Sequence, residues 1–279
     1  MSDPQTFPNG RLLFTPDRLQ ARLGDERLTI LDVRPTHELV AAGWIPGAAH
    51  FDLYGIGITR TGPPLFEEWI GMMRSLAALR GVSMDQTVVI YEETSGNRAA
   101  RLLWVLEYLG HDDVHLLDGG FGAWRRAGLP VSRDMHEPKA RSFKAKPRPE
   151  LFISADGLNA RLHEPGLCIL DARTEDEYYA RQVRAARGGA IPGAVHLEWK
   201  DLLDETGSYK PPLELQALFA ARGITPDKSV VPYCQGGYRS SHAYLALRLL
   251  GFPRLHNFLG SWKEWGDRPD LPLEIPQPK

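Results

Sequence analysis

The sequence predicts an α/β fold built as two tandem domains, each a mainly parallel sheet flanked by helices. Three observations predict it. Short apolar runs alternate with helix-like stretches, the motifs of the first half recur in the same order in the second half, and a charged, proline-containing stretch separates the halves. Alternating strand and helix patterns are typical of βαβ units, which form parallel sheets.

The apolar runs that predict strands occur in both halves of the chain. They lie at 28–31 and 87–91 in the first half, and at 168–170 and 229–233 in the second. Helical patterns over 98–109 and 241–250 follow the second of these strands in each half. Reactive groups of a parallel sheet gather at the carboxyl ends of its strands, so those ends are where we expect a site.

The repeated motifs define the domain organisation. LDVR at 31–34 recurs as LDAR at 170–173, IPGAAH at 45–50 recurs as IPGAVH at 191–196, and Gly119-Gly120 with Trp124 matches Leu259-Gly260 with Trp265. Each copy exceeds 100 residues, which indicates tandem domains and not the short units of a solenoid. We predict a first domain over 10–133, a linker over 134–150 and a second domain over 151–279.

Composition excludes several classes of protein. The chain has 279 residues, is 43% hydrophobic and 24% charged, and carries a net charge of −2, which gives no bulk attraction for nucleic acid. No apolar run approaches the roughly 20 residues that cross a bilayer, and residues 1–5 lack the basic region of a signal peptide. Two cysteines form no disulfide framework. We therefore expect a cytoplasmic monomer with no nucleic-acid or membrane partner.

Cys234 is the strongest candidate for chemistry. It stands between the apolar run 229–233 and the loop QGGYRS at 235–240, which leads into the predicted helix. Glycines let such a loop curl until backbone N–H groups point inward, and the helix N-terminus adds positive potential. Electropositive loops of this kind lower a cysteine pKa to roughly 3.5–7.5, so a standing thiolate is expected. The alternative is a small buried residue that ends a strand.

The first half lacks this sulfur. Glu92 stands opposite Cys234, and the loop that follows Glu92 is one residue longer. A carboxylate there either opposes an anion cradle or fills it as a fixed internal ligand. We predict that the first domain is non-catalytic and covers one side of the active cleft.

Other polar residues at strand ends favour structural roles. Asp32 and Arg34 recur as Asp171 and Arg173, and the non-catalytic copy has them too, which indicates buried ion pairs that brace the turns. Cys168 lies inside an apolar strand and is expected to be an inert core residue.

The ordered motifs together resemble the rhodanese family of tandem-domain sulfurtransferases, most closely the bacterial thiosulfate sulfurtransferases. The resemblance covers nearly the whole chain, and YCQGGYRS at 233–240 is its centre. It implies that Cys234 takes sulfur from a donor, with thiosulfate favoured, holds it as a persulfide and passes it to cyanide or a thiol. The implied partners are a small-molecule donor and acceptor, with a protein thiol as a further acceptor. No metal or organic cofactor is implied.

Six further residues are candidates for donor binding. Gln235, Gly236, Gly237 and Tyr238 form the loop, with the two glycines there for backbone geometry; Arg239 ends it and Arg187 lies in the basic segment 181–187. Arg239 either offers a bidentate cation to the donor or pairs with a carboxylate such as Asp171. The loop resembles neither that of the animal thiosulfate enzymes nor that of the animal mercaptopyruvate enzymes. The lysine and the donor-binding arginine of the animal thiosulfate enzymes fall on Gly236 and Glu177.

Three alternatives stay open at this stage. A 3-mercaptopyruvate sulfurtransferase shares the mechanism, and a sulfur-carrier or redox module shares the loop. A cysteine-dependent phosphatase or arsenate reductase also uses a thiolate in an anion cradle closed by arginine. Its signature places five residues between cysteine and arginine, whereas four separate Cys234 from Arg239.

Overall fold

Two parallel sheets, one in each half of the chain, form the centre of the structure. The structure is a computed structural model that describes residues 6–134 and 136–278. Residues 1–5, which the sequence predicts not to be a signal peptide, lie outside the described residues. Met135 of the predicted linker also lies outside them. The predicted fold class is confirmed.

The first sheet has five parallel strands in the order β1-β5-β4-β2-β3. The strands are β1 (Leu13–Phe14), β2 (Leu28–Asp32), β3 (Ala48–His50), β4 (Thr87–Tyr91) and β5 (Val114–Leu117). The helices of this half are α1 (Pro16–Gln20), α2 (Thr36–Ala42), α3 (Leu65–Leu79), α4 (Asn97–Tyr108) and α5 (Gly120–Arg126).

The second sheet has the parallel order β7-β6-β8. Isolated parallel bridges from Val230 to Leu255 and from Phe152 to Asn257 extend it in the same order as the first sheet. The strands are β6 (Leu167–Asp171), β7 (Val195–His196) and β8 (Ser229–Tyr233). The helices are α6 (Ala155–Arg161), α7 (Glu175–Tyr178), α8 (Pro212–Ala220), α9 (Tyr238–Leu249) and α10 (Ser261–Asp267).

Burial explains why the central strands were readable from sequence. All of β4 and all but the first residue of β8 are buried, so each strand is a continuous apolar run with no alternation. The helix predicted over 98–109 begins one residue earlier, and the helix predicted over 241–250 begins at Tyr238, three residues earlier. This early start brings the N-terminus of α9 close to Cys234.

The two halves pack through the helices that follow the equivalent loops. Helix α4 lies against α9, and their apolar side chains belong to one core cluster. Residues 136–148 form neither helix nor strand and run over the first half, where the N–H groups of Arg141 and Lys146 donate to the carbonyls of Ala78 and Leu109. None of the helices within 6–134 and 136–278 is long and apolar enough to span a bilayer.

Candidate active site

Cys234 follows β8 directly and lies at its carboxyl end, where α9 begins four residues later. The turn between them depends on Gly237, whose φ is 88°. A Cβ on Gly237 would also lie 2.7 Å from the carbonyl oxygen of Leu259, so both conformation and space require glycine there. A Cβ on Gly236 would meet no protein atom within 4 Å, because that residue faces the open cleft.

The surroundings of the Cys234 sulfur favour the thiolate. The side chain is 1% exposed, and the N–H of Gly237 lies 3.2 Å from Sγ. Burial raises the pKa of Cys234, but the charge of Arg239 and hydrogen bonds from the backbone N–H groups of Ser240 and Gly236 outweigh it, so the pKa lies below its ordinary value. This arrangement stabilises a sulfur anion without moving any group.

Ser261 supports Cys234 and was missed in the sequence. Its Oγ accepts the backbone N–H of Cys234 at 3.0 Å, lies 3.8 Å from Sγ and donates to the carbonyl of Phe258 at 2.9 Å. The φ of Ser261 is 54°, an unusual value for a residue with a side chain.

The pairing of the two copies explains why Ser261 was missed. The N–H of Phe121 donates to the carbonyl of Glu92, as that of Trp262 donates to Cys234. Gly120 is therefore the counterpart of Ser261, and the sequence comparison that set Gly119-Gly120 against Leu259-Gly260 was wrong by one residue. Gly120 has a φ of 58°, so the conformation is shared although the side chain is not.

Arg239 is held by Glu177 and not by Asp171. Its Nη2 donates to Oε1 of Glu177 at 2.9 Å, and its Nη1 donates to Oε2. Burial raises the pKa of Glu177, but the hydrogen bonds and charge of Arg239 lower it to about 2. Thr174 and Glu177 also form a capping box at the start of α7. Arg239 still lines the cleft, with its charge already balanced.

Asp171 instead pairs with Arg173, as Asp32 pairs with Arg34. Both ion pairs are almost fully buried with a closest N–O distance of 2.6 Å, and each guanidinium also donates to a loop carbonyl, Gly189 in one domain and Gly43 in the other. The structural role predicted for these four residues fits this geometry. Within the described ranges, no cluster of three or more metal-ligating side chains occurs.

A cleft of about 440 Å³ leads to Cys234, and both halves line it. The first half contributes the segment 54–59 and Asn97, which form one wall. Tyr238 joins this wall, because its hydroxyl donates to the carbonyl of Leu53 at 2.7 Å. The Tyr238 ring therefore shapes the mouth, and its hydroxyl proton is engaged by the protein.

The cationic side chains of segment 181–187 and of α10 that line the cleft do not include Arg187, which the sequence favoured. Arg187 does not line it: its guanidinium donates to four backbone carbonyls and so anchors the C-terminal end of α10. The acceptors are the carbonyls of Trp265, Gly266, Arg268 and Leu271. Arg184 and Lys263 line the cleft instead, and the Arg184 side chain is 51% exposed.

Gln235 positions the segment that carries Arg184. Its Nε2 donates to the carbonyl of Arg184 at 2.8 Å, which ties the basic segment 181–187 to the cysteine loop. Arg184 Nη1 also lies 3.6 Å from Oε1 of Glu177. Gln235 therefore acts on the backbone of the cleft rim.

The equivalent cradle in the first domain is filled by Glu92. Its Oε1 accepts the N–H groups of Arg98 at 2.7 Å and Ala99 at 3.1 Å, at the N-terminus of α4. Burial raises the pKa of Glu92 to about 7 against the lowering effect of these hydrogen bonds. Of the two expectations for Glu92, the fixed internal ligand matches the geometry.

Known proteins give the same architecture and sequence signature. A family model described as Rhodanese-like domain matches residues 15–127 and 154–268. Thiosulfate sulfurtransferase of Azotobacter vinelandii is 34% identical over 275 residues, covering 99% of this chain and all of that protein. A Pseudomonas aeruginosa protein named "Probable 3-mercaptopyruvate sulfurtransferase" is 35% identical and covers 94% and 97%. "Sulfur carrier protein TtuD" of Thermus thermophilus is 31% identical and covers 96% and 98%.

Solved structures agree in fold. The anaerobic ergothioneine biosynthesis enzyme from Chlorobium limicola, in complex with trimethyl histidine, superposes with a TM-score of 0.86 at 23% identity. The match covers 98% of this chain and 72% of that one. At this identity the likeness concerns the fold alone, whereas the family model and the curated relatives cover both halves of the chain. The chain therefore belongs to the rhodanese family and carries its domain twice in tandem.

Proposed function

We propose that this protein is a sulfurtransferase that moves sulfane sulfur from thiosulfate to cyanide or a thiol through a persulfide on Cys234. One observation carries the proposal: the buried Cys234 sulfur lies beside the N–H of Gly237 at the end of an open cleft. Such a cradle stabilises the thiolate before the reaction and the persulfide anion after it.

The reaction balances without any cofactor. The Cys234 thiolate attacks the outer sulfur of thiosulfate, forming a new S–S bond while the old S–S bond breaks and sulfite leaves with its electron pair. Cyanide carbon or a thiolate then attacks the terminal sulfur of the persulfide, and Cys234 leaves as the thiolate. The negative charge stays near the N–H groups of the loop in both steps. A thiolate that needs no separate base suits this sequence.

Arg184 and Lys263 are the residues that we propose for donor attraction. Both line the cleft, whereas Arg239 is neutralised by Glu177. A sulfonate group has several acceptor oxygens, and a half-exposed guanidinium can meet two of them at once. Gly236 leaves space at the cleft for the leaving sulfite, since no protein atom lies within 4 Å of the place of a Cβ. Gln235 fixes the backbone from which Arg184 extends.

The names of the relatives support thiosulfate and keep two other activities in view. The A. vinelandii and P. aeruginosa thiosulfate sulfurtransferases are 34% and 33% identical over nearly their full length. The relative named for 3-mercaptopyruvate is as similar, at 35%. The relative named as a sulfur carrier supports a protein thiol as a further acceptor. We favour thiosulfate because its sulfonate matches the cations at the rim.

We also propose that the protein is a cytoplasmic monomer. Two free cysteines fit the reducing cytoplasm, where thiol acceptors stay reduced. Two domains that bury a mutual helix interface fit a monomer.

Steady-state turnover tests the proposal. Thiocyanate and sulfite would be measured with thiosulfate and cyanide, beside 3-mercaptopyruvate and a thiol acceptor. Cys234→Ala is the test variant, and Cys168→Ala, which removes the other cysteine of the chain, is the matched control. Thiosulfate turnover that is lost only in Cys234→Ala supports the proposal. A clear preference for 3-mercaptopyruvate overturns the donor, and sulfur transfer only to a protein thiol favours the carrier.

A further inference from the structure

Arg101 of the first domain is a fully buried cation that forms no ion pair with a carboxylate within 6–134 or 136–278. It lies on α4, is 1% exposed, and donates from Nη2 to the carbonyl of Ile56 at 2.9 Å. Its Nε and Nη1 are buried and have no hydrogen-bond partner among the described residues. Burying a charge in this way is costly unless another group compensates it.

The guanidinium reaches across the domain interface to the cysteine loop. It lies over the ring of Tyr238 at 4.0 Å from the centroid, and Tyr238 is part of the loop that begins at Cys234. Ile56, whose carbonyl accepts its hydrogen bond, belongs to the segment 54–59, and the neighbours of Ile56 in this segment line the cleft. Arg101 therefore joins the wall to the loop, and a cation over an aromatic face is favourable when both are desolvated.

Arg239 and Arg101, two cations near Cys234, differ in how their charges are balanced by the described residues. Arg239, at the start of α9, lowers the pKa of Cys234, but its two-point ion pair with Glu177 offsets part of its charge. Burial lowers the pKa of Arg101, while the charges of Tyr238 and Cys234 raise it, which means that a sulfur anion and this guanidinium stabilise each other. The group remains a cation, as arginine does in proteins.

We infer that Arg101 is a positioning residue of the second domain's active site: it holds Tyr238 and adds a second positive charge, beside that of Arg239, that favours the anionic sulfur of Cys234. This inference rests on the proposed function only for the persulfide anion, because the thiolate of Cys234 exists without sulfur transfer. It assigns the non-catalytic domain an electrostatic role in addition to its place as a wall of the cleft.

The chain offers a matched control in His242. It is the fifth residue of α9, as Arg101 is the fifth residue of α4, and its Nε2 lies 2.9 Å from the carbonyl of Ser95 in the loop after Glu92. Burial lowers the pKa of His242 to about 3, so it is neutral at the pH of the experiment. It thus makes the reciprocal contact across the same interface without a charge.

Other charged or titratable groups around Cys234 must stay constant in the experiment. These are Glu177 on α7, Arg184 on the basic segment, Tyr238 and Arg239 on α9, and Lys263 on α10. None of them is changed in the variants below.

The test is the rate of Cys234 alkylation by iodoacetamide as a function of pH, in a Cys168→Ala background. This reaction requires no sulfur transfer, so it is independent of the proposed activity. We expect Arg101→Gln to move the midpoint upward by about one pH unit, which makes alkylation below the midpoint roughly tenfold slower. Arg101→Lys should retain most of the effect, because it retains the charge. His242→Gln should leave the midpoint unchanged.

Two results would contradict a role of the Arg101 charge. The inference is overturned if folded Arg101→Gln has the wild-type midpoint, or if Arg101→Lys and His242→Gln shift it as much as Arg101→Gln does. If Arg101→Gln does not fold, Arg101→Met carries the same test: an upward shift of about one pH unit supports the charge, and a wild-type midpoint contradicts it.

Discussion

Ser261 Oγ accepts the backbone N–H of Cys234 at 3.0 Å and lies 3.8 Å from its sulfur, although the two residues are 27 positions apart in the chain. The contact ties the start of α10 to the end of β8. It fixes the backbone of the nucleophile through a residue outside the cysteine loop. The φ of 54° at Ser261 indicates that the hydroxyl is held there at a cost in backbone strain.

Ser261→Ala should be less stable than Ser261→Gly. The alanine variant keeps the strained φ and leaves the buried N–H of Cys234 without its acceptor, which costs about 1–3 kcal/mol in the free energy of unfolding. The glycine variant loses the same hydrogen bond but adopts the positive φ freely, as Gly120 does in the first domain. Urea denaturation measures both. A glycine variant less stable than the alanine variant would contradict the strain argument.

Glu177→Gln should remove an acid-sensitive part of the stability. The pKa of Glu177 is about 2 in the folded protein against 4.5 for an ordinary glutamate, so its contribution is complete above pH 4.5 and is lost as the pH falls towards 2. The size of this contribution is roughly 3 kcal/mol. Denaturation between pH 2 and 5 measures it. The same variant should lower the midpoint of the pH dependence of Cys234 alkylation, because Arg239 loses its neutralising partner. An unchanged midpoint would contradict this effect of Arg239 on Cys234.

Glu92→Gln should remove a loss of stability that occurs as the pH rises, the reverse of the pH dependence expected for Glu177. The folded pKa of Glu92 is about 7 against 4.5, so the folded protein favours its protonated form and loses stability as the pH rises from 4.5 through 7. The loss amounts to roughly 3 kcal/mol. Glutamine cannot ionise and its oxygen can still accept from the N–H groups of Arg98 and Ala99. The variant should therefore be the more stable protein at pH 8 and show a flatter profile. Equal pH dependence in both proteins would contradict a buried, neutral Glu92.

Arg184→Ala and Arg187→Ala should have separate effects. Arg184 lines the cleft, so its loss should raise KM for thiosulfate several-fold with little change in Tm. Arg187 donates to four backbone carbonyls at and after the end of α10, so its loss should lower the free energy of unfolding by about 1–3 kcal/mol with KM nearly unchanged. Kinetics and thermal denaturation of the two variants decide the matter. A KM effect in Arg187→Ala alone would restore the assignment that the sequence favoured.

Local sequence predicted the parts of the site that are local in space. The apolar run of β8, the cysteine and the two glycines are contiguous, and strand, loop and helix follow from their order. Duplication then identified Glu92 as the counterpart of Cys234.

Residues brought in by tertiary contacts had no such signal. Ser261 differs from its counterpart Gly120, and the irregular segment 181–187 has no periodicity that indicates which arginine turns to the cleft. The choice of Glu177 over Asp171 as the partner of Arg239 depends on how α7 packs, because Asp171 is already committed to Arg173. Arg101 lies within a helical pattern, and its position at the interface becomes visible only when α4 meets α9.

The most direct test of the central claim is the intact mass of the protein after incubation with thiosulfate and removal of excess donor. We predict a gain of one sulfur atom, located on Cys234 by peptide mapping, retained in Cys168→Ala, absent in Cys234→Ala and removed by cyanide with formation of thiocyanate. A folded protein that gains no sulfur on Cys234, or that carries the added sulfur on Cys168, would contradict the persulfide account.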